Sequence, residues 1–204
     1  MRALMKRALS ILCMGILALV TLASPAQAAE KMTPIKAYES QNLVWKKCYG
    51  QFQCSHFMVP IDYSNLSKGK FVLQLLKLSA KNQSKKLGSL VINPGGPGAS
   101  GIDYAFNAQY VFNPEILKSY DIVGFDPRGV GRSQPIRCLT NKETDESYAS
   151  NSRPTTKNQL TTLINQLRSY VKKCTTRNAH ILDYSTSNSA RDMDLLRSAL
   201  GEKN

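Results

Sequence analysis

Hydrophobic positions along the chain fall into short runs and two helical stripes. The first run, Ala8 to Ala23, is uncharged over 16 residues; Arg2, Lys6 and Arg7 precede it and Ser24-Pro25-Ala26-Gln27-Ala28 follows. A basic head, an apolar middle and small residues at Ala26 and Ala28 make a secretory signal, with cleavage expected after Ala28. A spanning helix takes about 20 apolar residues, so this run is short for a membrane anchor. Residues 29–60 read as polar and mixed. Phe71 to Leu78 predicts a strand, with a polar turn from Lys81 to Lys86. Ser89-Leu90-Val91-Ile92, closed by Asn93-Pro94, and Asp121-Ile122-Val123-Gly124-Phe125, closed by Asp126-Pro127, have the profile of buried parallel strands. Strand, glycine loop, helical stretch and strand in that order predict an α/β protein with a parallel sheet.

Residues 134–180 read as a polar excursion from that pattern. Within it Leu160, Leu163, Ile164, Leu167 and Val171 recur at three- and four-residue intervals, a helix with one apolar stripe. A last helix over 188–200 is expected, capped by Ser187 or Asn188 and stopped by Gly201, with Ala190, Met193, Leu196 and Leu200 inward. Asp192 and Asp194 would sit near its start, where the helix dipole favours acids. An α/β pattern demands another strand after such a helix, so the sequence is expected to be the amino-terminal part of a larger sheet.

Composition narrows the compartment and the chemistry. Apolar residues make up 42% of the 204, which supports a buried core and argues against disorder. The net charge is +13, and removing residues 1–28 takes three basic residues and no acids, leaving +10. Much of the charge lies in Lys68, Lys70, Lys77, Lys81, Lys85 and Lys86, around one strand and its turn. A nucleic-acid site is one reading of such a cluster; a solvated hairpin end is the preferred one, and the charge would suit loose association with an anionic cell surface. Past the signal, the cysteines are Cys48, Cys54, Cys138 and Cys174. An even number outside the cell reads as disulfides, and four cysteines allow three pairings. The sequence-local one, Cys48 with Cys54 and Cys138 with Cys174, is the expectation here. With only His56 and His180 and no Cys-x-x-Cys pair, no metal site is expected.

The candidate chemistry centres on Asn93-Pro94-Gly95-Gly96-Pro97-Gly98-Ala99-Ser100-Gly101. Glycines here let backbone N–H groups face a cavity. Gly96-x-Gly98-x-x-Gly101, with Asp121 or Asp126 beyond it, matches dinucleotide spacing formally, but Pro97 removes an N–H that a phosphate would use. A P-loop lacks its Gly-Lys-Ser/Thr. The other readings are an oxyanion hole, whose donors lower the barrier to acyl transfer, and a plain tight turn.

The second glycine segment decides among them. Asp126-Pro127-Arg128-Gly129-Val130-Gly131-Arg132-Ser133, together with Asn-Pro-Gly-Gly-Pro-Gly at 93–98, closely resembles the secreted α/β-hydrolase serine peptidases of bacteria, the tripeptidyl and prolyl aminopeptidase-like family. Trp45 beside a cysteine pair, Val59-Pro60-Ile61-Asp62-Tyr63 and Ala190-Arg191-Asp192-Met193-Asp194 are similar too, and the likeness runs from about Leu43 to Asn204. The prolyl branch carries His where Pro94 stands. By this resemblance residues 29–204 form a partial α/β-hydrolase domain. Gly96 supplies an oxyanion-hole N–H, Gly95 shapes the loop, and Asp126, Arg128 and Arg132 form a structural turn, the arginines clamping loop carbonyls.

In this family the nucleophile sits in a Gly-x-Ser-x-Gly elbow, followed by the acid and then the histidine. No such elbow occurs in the 204 residues. Asp126 lies too early for the triad acid; His56, placed ahead of the sheet, and His180, in the excursion, match no catalytic position. Ser100 and Ser133 have no neighbouring base in the sequence. The expectation is an exported aminopeptidase-type serine hydrolase, acting on peptide or ester substrates without a cofactor, cut before its nucleophile and inactive as this chain alone. Two alternatives differ in class. A short secreted binding protein on a half-hydrolase scaffold would fold cooperatively alone, and a nicotinamide-dependent oxidoreductase would be stabilised by its cofactor.

Overall fold

The computed structural model describes residues 35–203. The expected signal segment, 1–28, lies outside the described residues. A short helix α1 (Lys36–Glu39) leads into an antiparallel meander of β1 (Lys46–Cys48), β2 (Phe52–Pro60) and β3 (Lys70–Leu78). The β1–β2 hairpin turns at Tyr49 and Gly50, both left-handed at φ 44° and 72°, and Cys48 is joined to Cys54 at an S–S distance of 2.04 Å. β4 (Gly88–Ile92) and β5 (Tyr120–Phe125) complete a five-stranded sheet in the order β1-β2-β3-β5-β4.

Only the β4–β5 pair is parallel; β5 runs antiparallel to β3. The sheet is therefore mixed, where the sequence pattern suggested parallel. The difference traces to β2, whose apolar residues Phe52, Phe57 and Val59 are interrupted by Gln53, Ser55 and His56 and hide the strand. His56 does not precede the sheet as expected: it sits within β2 opposite Gln74, exposed.

Helices cover both faces, the arrangement of an α/β layered domain. On one face α2 (Gly101–Phe106), α3 (Ala108–Val111) and α4 (Pro114–Ser119) bury Ile102, Ala105, Ala108 and Leu117 against Phe52, Leu76, Ile92 and Ile122. Asn113 caps α4 by accepting the Ile116 N–H at 3.0 Å, with Pro114 in the first turn. On the other face α7 (Thr186–Ala199) sets Leu195 and Leu196 on Phe57, Val59, Leu73, Leu75 and Phe125. The cap of α7 is Ser185, which accepts the Asn188 N–H at 3.1 Å, so the helix begins ahead of the expected Ser187 or Asn188.

The excursion holds more order than its polar sequence suggests. Thr140 and Glu143 close a capping box on α5 (Asn141–Ala149), and Thr156 and Gln159 do the same for α6 (Lys157–Arg177). Neither helix contains a buried residue. They are tied by a Cys138–Cys174 disulfide and by Glu143, which pairs with Arg177 at 2.7 Å and Lys173 at 2.8 Å. These partners, Arg177 first, and the Thr140 N–H hold the Glu143 carboxyl well below the usual carboxylate range. A depressed folded-state value means the tie is fully present above the ordinary glutamate pKa and is lost as pH falls through the lower one. Amide exchange across the α5–α6 junction, corrected for its intrinsic pH dependence, should therefore stay slow at pH 4 and quicken only in stronger acid. Glu143→Gln should exchange fast already at neutral pH.

Candidate active site

Because β4 and β5 run parallel, the loops after Ile92 and Phe125 leave the same end of the sheet, where open α/β sheets bind their ligands. Asp126 joins these loops. Its carboxylate, fully buried, accepts the Ser100 hydroxyl at 2.5 Å, the Ile102 N–H at 3.3 Å and the Arg132 N–H at 2.8 Å. Ser100 in turn caps α2 by accepting the Asp103 N–H. Arg132 reaches across to the Asp103 carboxylate at 2.9 Å. Gly131 has φ 48°, and a Cβ there would lie 2.3 Å from Asp126 Oδ2, so the turn needs glycine both for its backbone and for this carboxylate.

The glycine loop rests on that brace. Gly95 donates to Asn93 Oδ1 at 3.3 Å and accepts the Ala99 N–H at 3.2 Å. Gly96, at φ 119°, lines the cleft described below, and its N–H donates to no acceptor among the described residues. The Gly98 N–H is equally unpartnered there, whereas Pro97 has none to offer.

Arg128, two residues after Asp126, is 3% exposed and uses all its donors. Nε and Nη2 hold Asp192 at 2.7 and 2.6 Å; Nη1 bonds the carbonyls of Ile61 and Asp183, and Nη2 that of Pro60. Tyr63 donates its hydroxyl to the same Asp192 at 2.8 Å. Burial pushes the Asp192 carboxyl up, and the Arg128 fork opposes it. Asp192, expected near the helix start for its interaction with the dipole, lies instead in the middle of α7 and is fully buried. A partner 64 residues away in sequence makes that burial affordable, and no local pattern shows it.

The remaining candidates do not assemble into a triad. Ser133 is buried and accepts the Gln74 N–H at 2.8 Å; Ser100 is committed to Asp126. His180 lies 3.5 Å from Asp183 and edge-on to Phe71. Asp121, the other acid in the dinucleotide reading, is taken by the Ala80 N–H, Gln83 and Lys86.

Between the glycine loop, Pro127–Val130 and the excursion lies a cleft of about 1070 Å³. Its far wall comprises Arg137, Thr144, Tyr148 and Tyr170, and the start of α7 adds Tyr184 and Ser185. No carboxylate is among its lining residues.

A family model of the alpha/beta hydrolase fold matches residues 88–204, from the first residue of β4 through both glycine loops and α7. The chain belongs to the alpha/beta hydrolase family. The chain is 34% identical over 170 residues to a tripeptidyl aminopeptidase of Streptomyces lividans, covering 78% of the chain and 32% of that protein. It is 34% identical over 162 residues to the serine protease Hip1 of Mycobacterium tuberculosis, covering 76% and 30%. It is 35% identical over 151 residues to carboxylesterase B of the same organism, covering 72% and 29%. The chain thus spans about a third of the length of the curated relatives it matches.

Proposed function

We propose that these residues are the amino-terminal part of an exported serine hydrolase that cleaves peptide bonds near a free amino terminus, and that Gly96 supplies one oxyanion-hole donor. The observation that carries the reading is Gly96, whose N–H has no acceptor among the described residues, on a loop at the carboxyl end of β4 that lines the cleft. When a serine hydroxyl attacks a substrate carbonyl, the carbonyl π electrons move onto its oxygen, and a fixed N–H there is worth roughly 3 kcal/mol in the transition state. A base takes the serine proton during the attack; the oxyanion then collapses, the amine leaves with that proton, and water attacks the acyl-serine to release the carboxylic acid and free the serine. Gly95 shapes the loop, Asp126 and Arg132 brace it through Ser100, Ile102 and Asp103, and Arg128 ties the turn after β5 to Asp192 and to the carbonyls of Pro60, Ile61 and Asp183.

The serine, its base and its acid belong, in this reading, to hydrolase sequence beyond these 204 residues. Three observations support this. The sequence contains no Gly-x-Ser-x-Gly; the stretch matched is only about a third of the length of the relatives; and the outer side of β4 pairs with no strand among the described residues. A strand added there would run beside the glycine loop and bring an elbow serine to Gly96. A group to hold the substrate's amino terminus would come from the same source, since the lining residues include no acid. The printed names of the relatives, tripeptidyl aminopeptidase and serine protease, support peptide substrates, and carboxylesterase B supports the broader ester and amide chemistry. The basic and apolar leader, with cleavage after Ala28, supports export.

Two measurements test this. The purified 204-residue chain should neither turn over peptide or ester substrates nor react with a fluorophosphonate; turnover abolished by that reagent would overturn the assignment of the nucleophile. Protein captured from its natural host with an antibody to residues 29–204 should carry a phosphonate-reactive serine on a hydrolase polypeptide, joined to or bound with these residues. A capture devoid of any such serine would overturn the enzymatic reading.

A further inference from the structure

α6 carries a feature that the proposed chemistry does not use. At 100° per residue, Leu160, Ile164, Leu167 and Val171 fall within about 60° of one another, a narrow apolar stripe. Yet they are 48%, 39%, 56% and 59% exposed, in a helix with no buried residue. The stripe is nevertheless held in place, because Cys174 and Arg177 at the end of α6 are fixed to Cys138 and Glu143. A pre-set apolar face loses little freedom when covered.

We infer that the α6 stripe is a docking face for an amphipathic segment, with acids along one flank, of the hydrolase polypeptide that completes the domain. This rests on the function proposed above. Two observations select the occupant. α6 contains no acidic residue, and Lys157 and Arg168 border the stripe without an ion-pair partner among the described residues. A complementary segment therefore offers carboxylates. The curated relatives also contain about twice again the length matched here, enough for many such segments. A second copy of α6 fits poorly, since it would bring cations and no carboxylate to the seam. A lipid surface fits less well too, because the stripe holds four aliphatic side chains and no Trp or Phe to anchor at the headgroups.

Photocrosslinking in the natural host tests this, with p-benzoylphenylalanine placed singly at Leu167, at Asn165 on the opposite side of α6, and at Ser89 on the open strand β4. Crosslinked peptides are identified by mass spectrometry. Leu167 should join a segment of a phosphonate-reactive hydrolase polypeptide, within one chain or between two, and Asn165 should not. Crosslinks to that polypeptide from Ser89 but not from Leu167 would overturn the α6 inference and leave the proposed function standing. No hydrolase crosslink from either position would overturn both. Crosslinks from Leu167 to a second copy, to residues 1–34 of the same chain, to lipid or to an unrelated protein would each overturn the α6 inference.

Discussion

Replacing Arg128 by alanine should destabilise the chain by about 3–5 kcal/mol, the scale expected when one partner of a buried ion pair is removed. The cause is what remains behind: a fully buried Asp192 carboxylate and three backbone carbonyls, of Pro60, Ile61 and Asp183, stripped of their donors. Lysine should recover little, because one ammonium cannot span a carboxylate fork and three carbonyls. Burial already pushes the Asp192 carboxyl up, and without Arg128 nothing cationic of equal reach opposes it. A raised folded-state value stabilises below the unfolded pKa and is lost as pH rises through the folded one. The Arg128→Ala chain should therefore regain stability in mild acid relative to its loss at neutral pH. Denaturant midpoints at two pH values measure this; an equal loss at both would show that the carboxylate is not the source. Arg128→Met combined with Asp192→Leu should lose less than the two single losses added together.

Gly101→Ala should be the most damaging small substitution in the glycine region. A Cβ there would lie 2.1 Å from the carbonyl oxygen of Phe125 and 2.8 Å from that of Ile92. Both obstacles are strand backbone, so neither can rotate aside. The amino-terminal turn of α2 must lift from the sheet, at a cost of about 3 kcal/mol or more, the upper range for overpacking. Ser100 would move with it and loosen its bond to Asp126. Gly95→Ala makes the comparison, since a Cβ there meets nothing within 4 Å and only the φ of 79° is strained. Melting temperatures of the two variants give the test; equal losses would mean that conformation, not close approach, governs this loop.

What the sequence disclosed depended on how local the cause was. β4 and β5 were readable because apolar runs ended at Asn93-Pro94 and Asp126-Pro127, and each run coincides with its strand to within one residue. β2 was not, because Gln53, Ser55 and His56 interrupt its apolar positions. α5 lacks any buried residue, so hydrophobic periodicity could not show it; Thr140-x-x-Glu143 was the available signal and a capping box is what it forms. The stripe of α6 was legible as a period, but period alone does not say what covers it. Asp192 was the deepest miss. An acid near the start of a helix reads as a dipole effect, and only the fold reveals that Arg128 waits beneath it. In the glycine region the spacing pointed to backbone donors, whereas the bond from Ser100 to Asp126 that braces them joins residues 26 apart.

The reach of Arg128 also sets an order on assembly. Its partners lie 67 and 68 residues earlier, at Ile61 and Pro60, and 55 and 64 residues later, at Asp183 and Asp192. A chain emerging amino terminus first exposes the meander and both strands of the parallel pair while this guanidinium still has no carboxylate to enter the interior with. Non-local pairings of this kind form late. The sheet can commit to its final packing only once α7 has emerged, so the residues ahead of it remain pliable until then.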